Sequence, residues 1–260
     1  MVSVHTATHR PQTAAEMNRW TPNPATPILC PPMPSAVACF TFDHLRAEAP
    51  YREIDAVLDR HGVRSTFFIE GRDAERDPDA VADIVARGHE VGCHGWAHEQ
   101  WSELSPERER ELATRARDAL RDAGARAEGF RAPGGSRTPA TGEILASLDF
   151  RYDASLGEGM SVTRLGSSLA QVPFVWSGVD GAYYLGDEPR PSEEVRDGWL
   201  GTLATVAARG GLFVLICHPE ITGNDPSRVD ALAAVIYAAV SDPRVEVTTI
   251  GEVARAALTA

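Results

Sequence analysis

The sequence predicts one large α/β domain in which a parallel β-sheet is covered by helices. Its 260 residues suit a single domain of this class. After a proline-rich lead over residues 1–34, short apolar runs typical of strands alternate with segments of helical periodicity. Glycine or proline closes most of these segments, which gives seven or eight β/α units within a single domain over residues 35–260.

The first half of the chain supplies three strands, each followed by a helix. The strands are predicted at residues 36–42, 65–69 and 89–94. The first two helices end at Gly62 and Gly88, where glycine suits the left-handed cap position. The third helix begins at Ser105, an N-cap residue followed by proline, and ends at Gly124.

The second half continues the alternation with shorter elements. Further strands are predicted at residues 129–131, around 152, and at 172–176, 212–218 and 245–249. Helices are predicted from Thr138 to Leu148, from Ser192 to Gly210, over 229–240 and after residue 249, with a loop over 178–191. The strand at 212–218 is the most strongly patterned, since six of its residues in a row are apolar.

Composition excludes several classes of function. The formal net charge is −12, from 37 acidic against 25 basic residues, and every basic residue is an arginine. Nucleic-acid partners are therefore not expected, and a lysine Schiff base is excluded. No apolar run reaches the length of a membrane span, and the lead does not resemble a secretory signal. We expect no membrane partner and a cytoplasmic location.

Four short motifs lie at the predicted carboxyl ends of strands. They are TFDH at 41–44, HGWAH at 94–98, RAPGG at 131–135 and LICHP at 215–219. The carboxyl ends of the strands in a β/α fold carry its active site, so these motifs are expected to converge there.

The first two motifs predict a metal site with a base beside it. His94 and His98 are four residues apart, a spacing that sets both imidazoles on one face of a helical turn. His44 could bind the same ion, and Asp43 could accept a proton. Because adjacent strand residues point to opposite faces, both reach one site only if the chain turns there. The alternative is a structural aspartate beside a surface histidine.

The last two motifs predict a clamp and an acid. Arg131 precedes a proline and two glycines and could hold a carboxylate, or form a structural ion pair with Asp180 as its candidate partner. His218 ends a strand and is followed at once by Pro219, which places its imidazole at the rim. A histidine there can protonate a leaving amine.

Taken together, the motifs resemble those of the polysaccharide deacetylases of carbohydrate esterase family 4, which share the NodB-homology fold. Over about residues 37–253 they match the family pattern in order, and the branch with peptidoglycan-deacetylase-like and allantoinase-like proteins is the most similar. The resemblance implies a distorted (β/α)7 barrel. It also implies these roles: Asp43 as base, His94 and His98 as metal ligands, Arg131 as clamp, and His218 as acid. We expect Pro133, Trp176 and Asp180 to bind substrate.

One departure from the family pattern leaves the metal site open. The family has a metal-binding aspartate where this chain has His44. Three alternatives follow: a three-histidine site that suits zinc, direct ligation by Asp43 with loss of the base, or a metal-free site as in ureide-cleaving relatives.

The resemblance predicts a hydrolase acting on carbon–nitrogen bonds other than peptide bonds. The expected reaction removes an acyl group, acetyl or formyl, from a small N-acylated substrate such as an amino-sugar intermediate. A divalent metal ion, zinc, is the expected cofactor, and a homo-oligomer is allowed. The alternatives are a metal-free hydrolase of cyclic imides or ureides, and a catalytically inactive binding or assembly subunit.

Overall fold

The computed structural model describes residues 28–29, 35–45, 51–157 and 159–259. Of the predicted proline-rich lead, residues 1–27 and 30–34 lie outside the described residues. Among those that are described, no helix is both long and apolar enough to cross a lipid bilayer.

Within the described residues, ten strands form one curled sheet. They are β1 (Ile28–Leu29), β2 (Ala36–Asp43), β3 (Thr66–Ile69), β4 (Glu90–Cys93), β5 (Gly129–Phe130), β6 (Tyr152–Asp153), β7 (Thr163–Leu165), β8 (Leu169–Gln171), β9 (Gly211–Cys217) and β10 (Val245–Val247). The order along the sheet is β1-β7-β8-β6-β5-β4-β3-β2-β10. β9 is not part of this order and also pairs with β2. The pairs β1–β7 and β7–β8 are antiparallel, and the others are parallel.

Ten α-helices connect and cover these strands in the described part of the chain. They are α1 (Tyr51–His61), α2 (Gly71–Arg76), α3 (Pro78–Ala86), α4 (Pro106–Asp122), α5 (Thr141–Ser147), α6 (Gly181–Tyr184), α7 (Ser192–Arg209), α8 (Pro219–Thr222), α9 (Pro226–Ser241) and α10 (Ile250–Thr259). Short 3₁₀ turns lie at Trp101–Glu103 and Trp176–Gly178.

The strand β2 runs through the centre of the structure and is buried along its whole length. Alternate residues serve two different cores, as strand geometry requires. Phe40 and Phe42 pack in the larger cluster, which also holds the apolar faces of the helices. Val37 and Cys39 pack in a second cluster on the other face, where α10 contributes its own apolar side chains.

The pairing of β2 with β9 decides where the site lies. The two strands are parallel and in register from Ala36 opposite Gly211 to Phe42 opposite Cys217. His44 directly follows β2 and His218 directly follows β9, so both lie at the same edge of the sheet.

The predicted fold class, a NodB-type (β/α) barrel, is confirmed. The strand predicted at 172–176 is wrong. The ladder ends earlier, with β8 at Leu169–Gln171, and Phe174 makes only an isolated bridge to Leu156. Pro173 explains the break because it has no N–H to donate to a ladder.

The loop predicted at 178–191 contains a short helix, α6, which begins at Gly181 with Asp180 as its N-cap residue. The antiparallel hairpin of β7 and β8 and the short helix α2 were not predicted from the sequence.

Candidate functional site

The structure brings three histidines of the motifs into one cluster. The ring of His44 lies at the centre, with centroid distances of 5.4 Å to His94 and 5.0 Å to His98. The rings of His94 and His98 are 5.4 Å apart. His218 joins from the neighbouring strand end, with its ring 5.1 Å from that of His44.

The chain turns at His44, as the sequence required for Asp43 and His44 to share one site. β2 ends at Asp43, and His44 has the left-handed backbone angle φ of 76°. Its N–H still donates to the carbonyl of Phe68, at 2.9 Å, so the turn begins without losing the contact to β3. The left-handed conformation costs about 1–2 kcal/mol for a residue other than glycine.

His94 and His98 converge through a tight turn, and the predicted helical turn is wrong. Gly95 and His98 have positive φ angles of 71° and 60°, which no α-helix contains. Glu99 holds the turn closed, because its carboxylate accepts hydrogen bonds from the N–H groups of Trp96 and Ala97 at 3.1 and 2.9 Å. The four-residue spacing therefore brings the two imidazoles together through a tight turn and not through a helical turn.

The three clustered histidines can share one metal ion. One ring nitrogen from each of His44, His94 and His98 lies within 4.8 Å of the others. The Nδ1 atom of His94 lies 3.0 Å from the carbonyl oxygen of Arg131, which directs its Nε2 atom the other way. Burial holds the pKa of His94 well below its usual 6.5, so the imidazole is neutral, as a ligand must be. Three imidazoles suit zinc or a similar divalent ion.

Arg131 holds Asp43 through a buried ion pair. Its Nη1 donates to the Asp43 carboxylate at 2.6 Å and to the hydroxyl of Thr41 at 2.9 Å, and its Nε donates to the Ala154 carbonyl at 3.0 Å. Only 1% of the arginine is exposed. Burial raises the pKa of Asp43, but Arg131 and the nearby histidines outweigh it and lower the pKa to about 2. Asp43 is therefore ionised at neutral pH.

The partner predicted for Arg131, Asp180, is wrong. Asp180 lies on the far side of β9 from β2, and both of its carboxylate oxygens face the turn that follows β9. Its Oδ1 atom lies 2.6 Å from Nδ1 of His218, and its Oδ2 accepts from the His218 N–H at 2.8 Å. The hydroxyl of Thr222 donates to the same Oδ2 at 2.7 Å. Asp180 is completely buried, so its contacts are with the protein, and it positions His218.

The contact with Asp180 sets the charge of His218. Burial alone lowers the pKa of this histidine, but the carboxylates of Asp180 and then Asp43 outweigh the burial and raise the pKa to about 9. The side chain is 17% exposed, so the ring reaches the surface of the site. His218 is therefore a protonated imidazolium at neutral pH, next to an ionised Asp43.

Sequence reasoning gave no role to Glu220, although it lies two residues beyond His218. Its Oε1 atom is 2.8 Å from Nδ1 of His44. Burial raises the pKa of Glu220, but the hydrogen bond and the charge of His44 outweigh it and lower the pKa to about 2. No spacing rule reveals this pair, because the two side chains meet across the ends of different strands.

The two remaining predicted substrate-binding residues lie near the rim. Pro133 is buried against the His94–His98 turn, where a Cβ added to Gly95 would lie 2.9 Å from the proline ring. Trp176 is half-buried and packs edge-on against Phe174, with ring centroids 5.7 Å apart. Their contact with substrate stays a prediction.

A cavity of about 540 Å³ lies at the opposite edge of the sheet, before β3, β4 and β5. Its lining includes Arg64, Glu90, Glu128 and Arg255 and none of the motif residues. This cavity is therefore separate from the histidine cluster at the carboxyl edge of the sheet.

Part of the sequence is similar to known proteins. Residues 31–152 match the polysaccharide deacetylase family. A peptidoglycan deacetylase from Helicobacter pylori is 30% identical over 98 residues, which is 37% of this chain and 33% of that protein. The match thus spans about a third of that relative's length.

Solved structures match over most of the chain. A putative polysaccharide deacetylase from Mycobacterium smegmatis superimposes with a TM-score of 0.82 and 26% identity, covering 90% of this chain and 95% of that one. Puue allantoinase superimposes with a TM-score of 0.77 and 18% identity, covering 86% and 93%, which shows a shared fold. The resemblance stated from the four motifs is confirmed, and the matches support the predicted hydrolase class.

Proposed function

Because residues 31–152 match the polysaccharide deacetylase family, we propose that this protein is a metal-dependent N-deacetylase. The reaction would hydrolyse the amide bond of an N-acetylated substrate and release acetate and an amine. One observation carries this proposal: an ionised carboxylate, Asp43, and a protonated imidazole, His218, flank a cluster of three histidines. The two alternatives, a metal-free ureide hydrolase and an inactive subunit, are not favoured by the family match.

His44, His94 and His98 would hold the metal ion. A divalent ion bound by three histidines supplies Lewis acidity, which polarises a carbonyl oxygen and makes water more acidic. Asp43 supports the need for such an ion, because a carboxylate with a pKa of about 2 is a weak base and removes a proton from ordinary water poorly.

Asp43 would accept the proton of the attacking water. Arg131 fixes the Asp43 carboxylate by a 2.6 Å bond and keeps it ionised, so the base is in place before substrate arrives. A preformed base of this kind avoids the cost of reorganisation during the reaction. Arg131 acts through Asp43 and is a positioning residue.

His218 would donate the proton that the leaving amine needs. Its Nδ1 atom is engaged by Asp180, so Nε2 is the nitrogen that faces the site with a proton. An amine leaves an acyl carbon as a poor anion and needs that proton to depart. With a pKa of about 9, His218 holds the proton throughout the neutral range.

The substrate class that fits is an N-acetylated amino sugar. The Helicobacter pylori relative is a peptidoglycan deacetylase and the Mycobacterium smegmatis neighbour a putative polysaccharide deacetylase, which supports an amino-sugar amide. We propose a small amino-sugar intermediate as the specific substrate. Rates of acetate release from a single sugar and from longer saccharides decide this point.

Acetate release and metal content together test the proposal. The purified protein should contain about one divalent ion per chain, and His94→Ala should remove it. His61→Ala is the matched control, because His61 ends α1 and lies outside the cluster. Wild-type protein should release acetate from N-acetylglucosamine faster than from chitin oligomers or peptidoglycan fragments.

Asp43→Asn should lower kcat by about 10²-fold or more, which is the scale for a lost general base. A metal-loaded wild-type protein that releases no acetate from any of these amides would contradict the deacetylase. Equal rates for wild type and Asp43→Asn would remove Asp43 from the reaction.

A further inference from the structure

A carboxylate lies directly behind one of the three clustered histidines. β2 and β9 are in register up to Phe42 opposite Cys217, so the turns that follow both strands lie next to each other. His44 stands two residues past Phe42, and Glu220 three residues past Cys217. Their side chains meet with Nδ1 of His44 2.8 Å from Oε1 of Glu220.

The histidines of the cluster have different outer partners. His94 directs its Nδ1 atom to a neutral acceptor, the carbonyl oxygen of Arg131. His44 directs its Nδ1 atom to a carboxylate oxygen, which is a stronger hydrogen-bond acceptor than a neutral carbonyl. A carboxylate behind a histidine fixes the tautomer, orients the ring and raises its basicity as a ligand.

The turn that carries Glu220 is itself held in place. Asn224 donates to the backbone carbonyl of Glu220 at 2.8 Å, and Arg228 donates to the carbonyl of Ile221 at 3.0 Å. The hydroxyl of Thr222 donates to the buried carboxylate of Asp180 at 2.7 Å. Glu220 is 23% exposed at its side chain, so its carboxylate faces His44 from a fixed and largely buried position.

We propose that Glu220 is a positioning residue that holds the proton of His44 on Nδ1 and presents Nε2 to the metal ion. Glu220 touches neither substrate nor ion and acts through the ring of His44. The metal part of this inference rests on the proposed function, whereas the orientation of His44 does not.

The first test uses the protein without metal. Nitrogen-15 NMR of the histidine side chains reports which ring nitrogen carries the proton. His44 in the metal-free wild type should carry it on Nδ1, and Glu220→Gln should lose that preference. Glu193→Gln is the matched control, since Glu193 is exposed in α7 and its loss removes the same charge. A His44 protonated on Nε2 in the wild type would overturn the inference.

The second test measures zinc affinity by competition with a chelator. Glu220→Gln should raise the Kd for zinc by about 10- to 100-fold, the usual effect of losing a carboxylate behind a metal-binding histidine. Glu193→Gln should leave the Kd within about twofold of wild type. Thermal unfolding of each metal-free variant identifies one that fails to fold, and Glu220→Asp then replaces Glu220→Gln.

A double-mutant cycle separates orientation of His44 from a general effect of charge. His44→Asp should still bind zinc, because aspartate is itself a zinc ligand. In that background Glu220→Gln should no longer weaken zinc binding, because no imidazole remains to be oriented. Equal weakening in both backgrounds would overturn the inference and leave Glu220 as a distant charge.

The outcomes distinguish the two proposals. A wild-type protein that takes up no divalent ion would contradict the proposed function, and the NMR measurement would still decide whether Glu220 orients His44. A wild type that binds zinc with the same Kd as Glu220→Gln would overturn only the role of Glu220.

Discussion

Replacing Asp180 by asparagine should remove the protonated state of His218 near neutral pH. The pKa of His218 rises from its usual 6.5 to about 9, chiefly because the carboxylate of Asp180 outweighs the effect of burial. A rise of this size corresponds to roughly 3 kcal/mol in favour of the imidazolium. Asp180→Asn removes the charge and keeps the size of the side chain, so the pKa of His218 should return to about its usual 6.5.

The sign of the effect fixes the shape of the pH profile. His218 acts as an acid only while protonated, so its contribution is present below its pKa and is lost as the pH rises through it. A histidine with a pKa near 9 is about 90% protonated at pH 8, and one with a pKa of 6.5 about 3%. Asp180→Asn should therefore lower kcat about 30-fold at pH 8 and by less than about twofold at pH 6.

The same substitution should also lower the stability of the protein. Asp180 accepts hydrogen bonds from the N–H groups of Gly181 and His218, the ring of His218 and the hydroxyl of Thr222. An asparagine has one acceptor oxygen, so two donors lose their partner at a cost of about 1–3 kcal/mol each. Assays should be run well below the Tm of the variant, measured by thermal unfolding.

Acetate release from an N-acetylated amide, followed from pH 5.5 to 9.5, measures the profile. Thr222→Val is the matched control, since it removes one hydrogen-bond donor to Asp180 and leaves the charge of Asp180 in place. The alkaline limb of its kcat profile should therefore stay near that of the wild type. On an activated aryl ester, whose leaving group needs no proton, the limb assigned to His218 should weaken in both proteins. An equal loss of kcat at pH 6 and pH 8 in Asp180→Asn would refute the reasoning.

Three further predictions concern stability. Arg131→Met should leave Asp43 buried without its cation. The free energy of unfolding, measured by urea denaturation at pH 7 where the carboxylate is ionised, should fall by about 3–5 kcal/mol. An unchanged free energy of unfolding would show that the ion pair contributes nothing to stability. Gly71→Ala should lower the Tm, because the added Cβ would lie 2.4 Å from the Cα of Ala116 in α4. Gly198→Ala in α7 meets open space and should stabilise the protein by about 0.5–1 kcal/mol. Similar changes in Tm for both variants would contradict this packing. Free zinc at about 100 times its Kd should stabilise the protein by about 2.7 kcal/mol in calorimetry, and a chelator should abolish the gain.

Most of the site could be predicted because its geometry follows from the order of the chain. Asp43 ends a parallel strand, and His94, Arg131 and His218 each directly follow one. The carboxyl ends of parallel strands meet at one edge of a sheet. The metal-site and acid–base roles were assigned from residue type and position, and they stay predictions. Residue type and spacing do not reveal the partner of a side chain in another loop, which is why Glu220 was missed.

The two errors have different origins. Asp180 was named as a candidate partner of Arg131, but whether two residues far apart in sequence meet depends on the tertiary structure. In the structure Arg131 contacts Asp43 at 2.6 Å, whereas Asp180 lies beside His218, the residue that follows β9. The strand predicted through Pro173 failed for a local reason, the missing N–H, which the sequence does contain.

The backbone restricts which residues can serve as ligands at this centre. His44 and His98 both have positive φ angles, 76° and 60°. Among residues other than glycine, asparagine, aspartate and histidine adopt such angles most readily, and β-branched residues scarcely at all. Any redesign of the proposed metal site must therefore choose from a short set of side chains at these two positions, because the backbone conformation is unfavourable for most other residues.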